Sequence, residues 1–268
     1  MRITTTFVRC ALAASLLLSL AAQAHTPWLL PSSTVLSKGE WITVDAGAST
    51  GVFISDHAAL PIDAVKVTAP DGSSLAPENA LRGKLRSVFD LNLTQVGTYR
   101  VALVNAGVFA SYKDKAGQTK RLRGTAESLE RDIPADATEV TVTQSAGRVE
   151  TFVTVGKPST LVPSNQGLEL VPVTHPNDLA KGEAATFAFQ IDGKPAAGLA
   201  VVVMPGGSRY RDAVGEIKAT TDANGRFSIT WPTAGVYAIE AGTRDSKTTI
   251  ARAKERRLSY SGTLEVLP

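Results

Sequence analysis

Three histidines hold most of the coordination chemistry open to this 268-residue chain: His25, His57 and His175. His25 is the most distinctive by position. It follows Ala22-Gln23-Ala24, a small-x-small box that ends an apolar run over 11–22, with Arg2 and Arg9 as the positive end. Cleavage after Ala24 would leave His25 with an α-amine beside its imidazole, two nitrogens able to close a chelate ring on one metal ion. Both release protons to a metal at modest cost near neutral pH. Nitrogen donors of this kind suit Cu(II), Ni(II) or Zn(II). Pro27 has no N–H, which excludes the N-terminal motif built from deprotonated backbone amides and a third-position histidine. A metal held at His25 therefore needs a donor from elsewhere in the chain.

His57 lies in Phe53-Ile54-Ser55-Asp56-His57-Ala58, just past an apolar run and in a predicted loop. Asp56 is a candidate to orient its ring, because ligand histidines commonly donate their other N–H to a carboxylate. A loop histidine capping a turn fits the same residues. His175, in Val173-Thr174-His175-Pro176-Asn177-Asp178, has two readings as well. It reaches across to complete a metal site, or it bonds the local backbone and stiffens a turn, and Pro176 and Asn177 favour the turn. Trp28 is close enough in sequence to His25 to form one wall of a site. The loop Gly206-Gly207-Ser208-Arg209-Tyr210-Arg211-Asp212 lacks the Lys-Ser/Thr ending of a phosphate loop. No Ser-His-Asp grouping or Gly-x-Ser-x-Gly elbow assigns a catalytic residue.

Composition narrows the partners. The formal charge of +3 includes Arg2 and Arg9 of the predicted signal, so the remainder is nearly balanced and the basic pI does not imply a nucleic-acid partner. The only cysteine, Cys10, falls in the same segment, which leaves the exported protein no disulfide or thiolate ligand. No second apolar run approaches the roughly 18 residues of a membrane span. A periplasmic protein, with no membrane span after signal cleavage, is the expectation.

The elements that must position these histidines read as strands. Short β-type runs separated by Gly, Pro, Asn and Asp dominate. In the first half they fall at 41–45, 64–68, 87–93, 98–104 and 150–155. In the second they fall at 168–172, 185–191, 200–204, 216–220, 226–231, 236–241 and 259–266. Turns are marked by Pro70-Asp71-Gly72, Asp192-Gly193-Lys194-Pro195 and Asp222-Ala223-Asn224-Gly225. The charged stretch 117–131 predicts a short helix over 124–131 or a mobile insertion. Residues 156–166, with two prolines, suit an inter-domain linker. The expected organisation is all-β: a signal over 1–24, an N-terminal β-sandwich over 25–158 and a C-terminal Ig-like β-sandwich over 159–268, in series.

These residues also resemble a known family. Ala24-His25, Asp56-His57 followed by Pro61, the run 168–178, Asp192-Gly193-Lys194-Pro195 and Thr221-Asp222-Ala223-Asn224-Gly225-Arg226-Phe227 are similar to the DUF4198 family of periplasmic proteins. The resemblance covers essentially the whole mature chain. It implies an exported, metal-handling protein with Ig-like domains, in a family associated with nickel and cobalt uptake. The expected cargo is thus a divalent transition metal ion (nickel, cobalt or copper), with a membrane transporter or outer-membrane receptor as possible recipient. Two other readings compete. One is a metal-free Ig-like binding or scaffold module, since the second half also resembles the carboxypeptidase-regulatory-like and bacterial Ig-like modules. The other is a copper-dependent oxidative enzyme, because an N-terminal histidine with a second histidine on a β-sandwich resembles the copper brace of polysaccharide monooxygenases. No carbohydrate platform is identifiable in the chain.

Overall fold

The computed structural model describes residues 25–268; the predicted signal and its cleavage box lie outside the described residues. The first half runs β1 (Thr26–Pro31), β2 (Val35–Leu36), β3 (Glu40–Ser49), β4 (Ala58–Ala59), β5 (Val65–Thr68), β6 (Ser74–Leu75), β7 (Glu78–Arg82) and β8 (Arg86–Leu93). It continues with β9 (Gly97–Lys113), β10 (Thr119–Gly124), α1 (Ala126–Asp132) and β11 (Thr138–Val155). The second half holds β12 (Leu168–Pro172), β13 (Ala184–Ile191), β14 (Lys194–Pro195), β15 (Ala200–Pro205) and β16 (Ile217–Thr220). It ends with β17 (Arg226–Thr230), β18 (Gly235–Asp245) and β19 (Glu255–Val266). The chain is all-β, as its punctuation predicts.

The two halves share a sheet. A ten-stranded sheet includes the path β16-β15-β18-β19-β11-β9-β5-β6, and its seam is the parallel pairing of β11 with β19 from Thr143↔Glu255 to Thr151↔Thr263. Strand side chains alternate between faces, and the seam uses that alternation to serve two cores. Val149, Val153 and Val155 of β11 join Tyr99, Val101 and Leu103 of β9 beneath the sheet β1-β3-β8-β7. Phe152 of β11, with Leu258, Tyr260 and Leu264 of β19, faces the other way, beneath the sheet of β12, β13, β14 and β17. The covering sheets therefore sit on opposite faces of the ten-stranded sheet, one over each half.

Each half repeats one local device. In Gln95-Val96-Gly97-Thr98-Tyr99 the Tyr99 hydroxyl accepts from Gln95 N at 2.8 Å. In Thr233-Ala234-Gly235-Val236-Tyr237 the Tyr237 hydroxyl donates to Thr233 O, also at 2.8 Å. Gly97 and Gly235 take φ of 129° and 133°, a region that disfavours a side chain. These are tyrosine corners, a mark of Ig-like sandwiches.

The helix expected over 124–131 is present as α1 (Ala126–Asp132), while the residues before it and the predicted linker make contacts that the sequence does not announce. The charged stretch begins as a strand, because β10 pairs along β9 from Thr119↔Lys113 to Gly124↔Val108. Only then does α1 begin, with a reciprocal cap between Thr125 and Ser128. The predicted linker is fastened down: Ser159 Oγ accepts from Thr98 N, and Arg100 Nη1 donates to Val162 O.

A buried charge cluster lies at the seam. Glu150, 1% exposed, accepts from the Tyr260 hydroxyl at 2.9 Å and from Arg148 Nη1 at 3.4 Å, with Arg100 Nε 3.8 Å away. Burial pushes the Glu150 carboxyl up, while Arg100 and Arg148 pull it back. Removing one partner of such a cluster costs far more than the cluster contributes, since a charge is left buried and uncompensated. Glu150→Ala is therefore expected to lower stability by about 3–5 kcal/mol, read by urea denaturation. A loss under about 1 kcal/mol would place the cluster in the range of exposed ion pairs.

Candidate metal centre

β3 brings two of the three histidines together. On one side it pairs with β1, Thr26 opposite Ser49; on the other it pairs with β4, Ala58 opposite Ala48. His25 and His57 each stand one residue outside these ladders, on either side of the end of β3. Their backbones are two strand spacings apart, about 10 Å, and both side chains lean over the gap. The imidazole centroids lie 3.4 Å apart with planes 7° from parallel. Both residues are exposed.

The support beneath the pair is rigid. Trp28 is 2% exposed, donates from Nε1 to Ser49 Oγ at 2.8 Å and meets Phe53 edge-on at 6.0 Å. Its indole lies over Gly47, where an added Cβ would be 2.6 Å from Trp28 Cζ2. Ser261 Oγ of β19 donates to Pro27 O at 2.6 Å, anchoring β1 on the shared sheet. Asp56 is committed to the loop, accepting from Thr50 N at 3.0 Å. Its carboxylate shapes the turn that carries His57.

His175 is not brought to this pair. Its Nε2 lies 3.0 Å from Thr98 Oγ1, and its Nδ1 accepts from Asn177 N at 3.2 Å. Thr98 bonds Thr154 across β9 and β11 on the face opposite to β1. An accepting Nδ1 requires the neutral ring. Burial pushes the His175 pKa below its ordinary 6.5, with the Ser159 backbone and Asp178 opposing.

Glu240 had no sequence signal, being one polar residue in an alternating strand. It is half-buried beside the Thr26 hydroxyl. Burial pushes its carboxyl up, Thr26 pulls it down and Glu216 raises it further. Among the described residues no group of three or more His, Cys, Asp or Glu side chains is placed to hold a metal ion. The side chains provide two nitrogen donors. In parallel rings the in-plane lone pairs run side by side, so one metal at about 2 Å from both requires the rings to swing apart.

The family model described as "Domain of unknown function (DUF4198)" matches residues 22–245. No curated protein sequence matches. Among solved structures, the D0-D1 domain of intimin is 14% identical at a TM-score of 0.23, covering 91% of this chain and 100% of that one. Two fibronectin type-III domains of chicken tenascin are 14% identical at a TM-score of 0.23, covering 90% and 99%. The Yersinia pseudotuberculosis adhesin InvE is 11% identical at 0.22, covering 92% of this chain and 61% of its own.

Two outcomes follow from this geometry. Gly47→Ala is expected to displace the Trp28 indole and to cost about 1–3 kcal/mol through overpacking, seen together as a tryptophan fluorescence shift and a lower denaturation midpoint. For His175, a folded pKa below the unfolded value favours the neutral ring. Its contribution is complete above pH 6.5 and is lost as pH falls through the folded pKa. Stability should rise with pH in the window just below 6.5, and His175→Ala should flatten that rise in denaturation curves taken across it.

Proposed function

The chain belongs to the DUF4198 family, and from its site we propose that it is a periplasmic protein that binds a divalent transition metal ion for uptake or delivery. The metal is cargo: nickel, cobalt or copper, passed on to a membrane transporter or outer-membrane receptor. One observation carries this reading, the contact of the His25 and His57 imidazoles at 3.4 Å across the end of β3. Two exposed imidazoles in contact place two borderline-soft nitrogen donors within a side-chain rotation of one metal ion. The donor set is one short of a stable three-coordinate site. Cleavage after Ala24 adds the missing nitrogen on His25 itself, as its α-amine. Protons compete for all three nitrogens, so binding weakens as pH falls and metal uptake releases protons.

Calorimetric titration of protein beginning at His25 with Cu(II), Ni(II) and Co(II) tests the reading. His57→Ala should weaken binding of the preferred metal at least about tenfold, since even the partners of ligand residues contribute 10–100-fold. One extra residue before His25 should weaken it similarly by converting the amine to an amide, whereas His175→Ala should leave it unchanged. Equal affinity in the extended protein would remove the amine from the site.

A further inference from the structure

β1 covers only part of the sheet face it rests on. The rows of that face follow from register. Glu240, Ser261 and Val149 lie side by side under β1, next come Gly242, Ser259 and Gly147, and then Arg244, Arg257 and Ser145. Past the start of β1 no described strand covers the second and third rows. The sheet that packs on β18 and β19 occupies the opposite face. The result is a cleft of about 730 Å³, with His25 and Pro27 at one end and Arg123, Arg244 and Arg257 among the residues at the other. Glycine and serine form its floor between them.

Charge in the cleft is one-sided. Arg244 is neutralised by Glu255 at 2.7 Å. Arg257 is exposed and makes no ion pair among the described residues. Arg123 rests on the Phe109 ring, its guanidinium carbon 5.2 Å from the centroid, and likewise has no carboxylate partner among the described residues. Glu240 is the one acid in the lining, and it sits at the histidine end. Two guanidiniums without partners, one held flat on an aromatic ring, present the forked donors that carboxylates accept.

We infer that this cleft binds a small polycarboxylate that chelates the metal, with the carboxylates at Arg257 and Arg123 and the metal at the histidine end. The inference rests on the metal-binding reading above. From the Glu240 row to the Arg244 row is four residues along β18, about 13 Å. That span suits a small molecule and is too short for a polyanion to track. The near-balanced charge of residues 25–268 also argues against a polymer. A chelator that leaves about three coordination positions of the ion open lets both imidazoles and the α-amine engage, so chelate and protein share the metal.

The test uses protein beginning at His25, titrated with Ni(II) alone, citrate alone and preformed Ni(II)–citrate. Binding of Ni(II)–citrate is expected to be tighter than that of citrate alone. Arg257→Gln with Arg123→Gln should weaken binding of the complex about tenfold, the scale of losing charge-assisted hydrogen bonds, and leave Ni(II) alone unchanged. His57→Ala should weaken both. A wild-type protein that takes Ni(II) but not Ni(II)–citrate, or a double variant that takes the complex as well as wild type, overturns this inference and leaves metal binding intact. A protein that binds neither Ni(II) nor the complex overturns both. Should citrate alone bind as tightly as the complex, the cleft holds an anion and the shared metal is refuted.

Discussion

Parallel pairing of β11 with β19 makes one sheet out of two sandwiches, and most of the remaining architecture follows from it. Because strand residues alternate between faces, the seam sends Val149 and Val153 into one core and Phe152 into the other. Each half then needs its own covering sheet, and the two covers must lie on opposite faces. The stagger leaves part of one face uncovered, and that stretch begins at the start of β1, beside His25. The Glu150 cluster sits at the same seam, with partners from both halves, and its burial ties the two cores through Tyr260.

The histidine pair inherits its geometry from this arrangement. β1 is held to β3 by its ladder, to Gly47 by the Trp28 indole and to β19 by the Ser261 hydroxyl. His57 is placed from the other side of β3 by a loop that Asp56 closes on Thr50. Two rings from residues 32 positions apart thus meet over one strand end. Their exposure allows the rings to turn toward a metal without disturbing either core. The same strand end opens onto the cleft, so one surface offers nitrogen donors and guanidiniums together.

Local features of the chain were legible, and long-range ones were not. Alternation in 226–231 and the turn Asp222-Ala223-Asn224-Gly225 predict β17 and its entry, and the Asp222 carboxylate does accept from Asn224 N and Arg226 N there. The run 98–104 predicts a strand, but β9 continues to Lys113 because β10 and β11 supply ladders that no local signal announces. His25 and His57 stand out by type and position. Glu240, Arg123 and Arg257 do not, since a polar residue every second position reads as an ordinary solvated face. Only the β11–β19 register, a contact between positions more than a hundred residues apart, turns that face into one wall of a cleft.

The central claim is that His25 and His57 act on one metal ion through three nitrogens. Electron paramagnetic resonance of Cu(II)-loaded protein beginning at His25 reads the donor set directly. Nitrogen hyperfine structure from three equatorial nitrogens, reduced to two in His57→Ala, is the predicted result. A spectrum unchanged by His57→Ala, or one dominated by oxygen ligands, would contradict it.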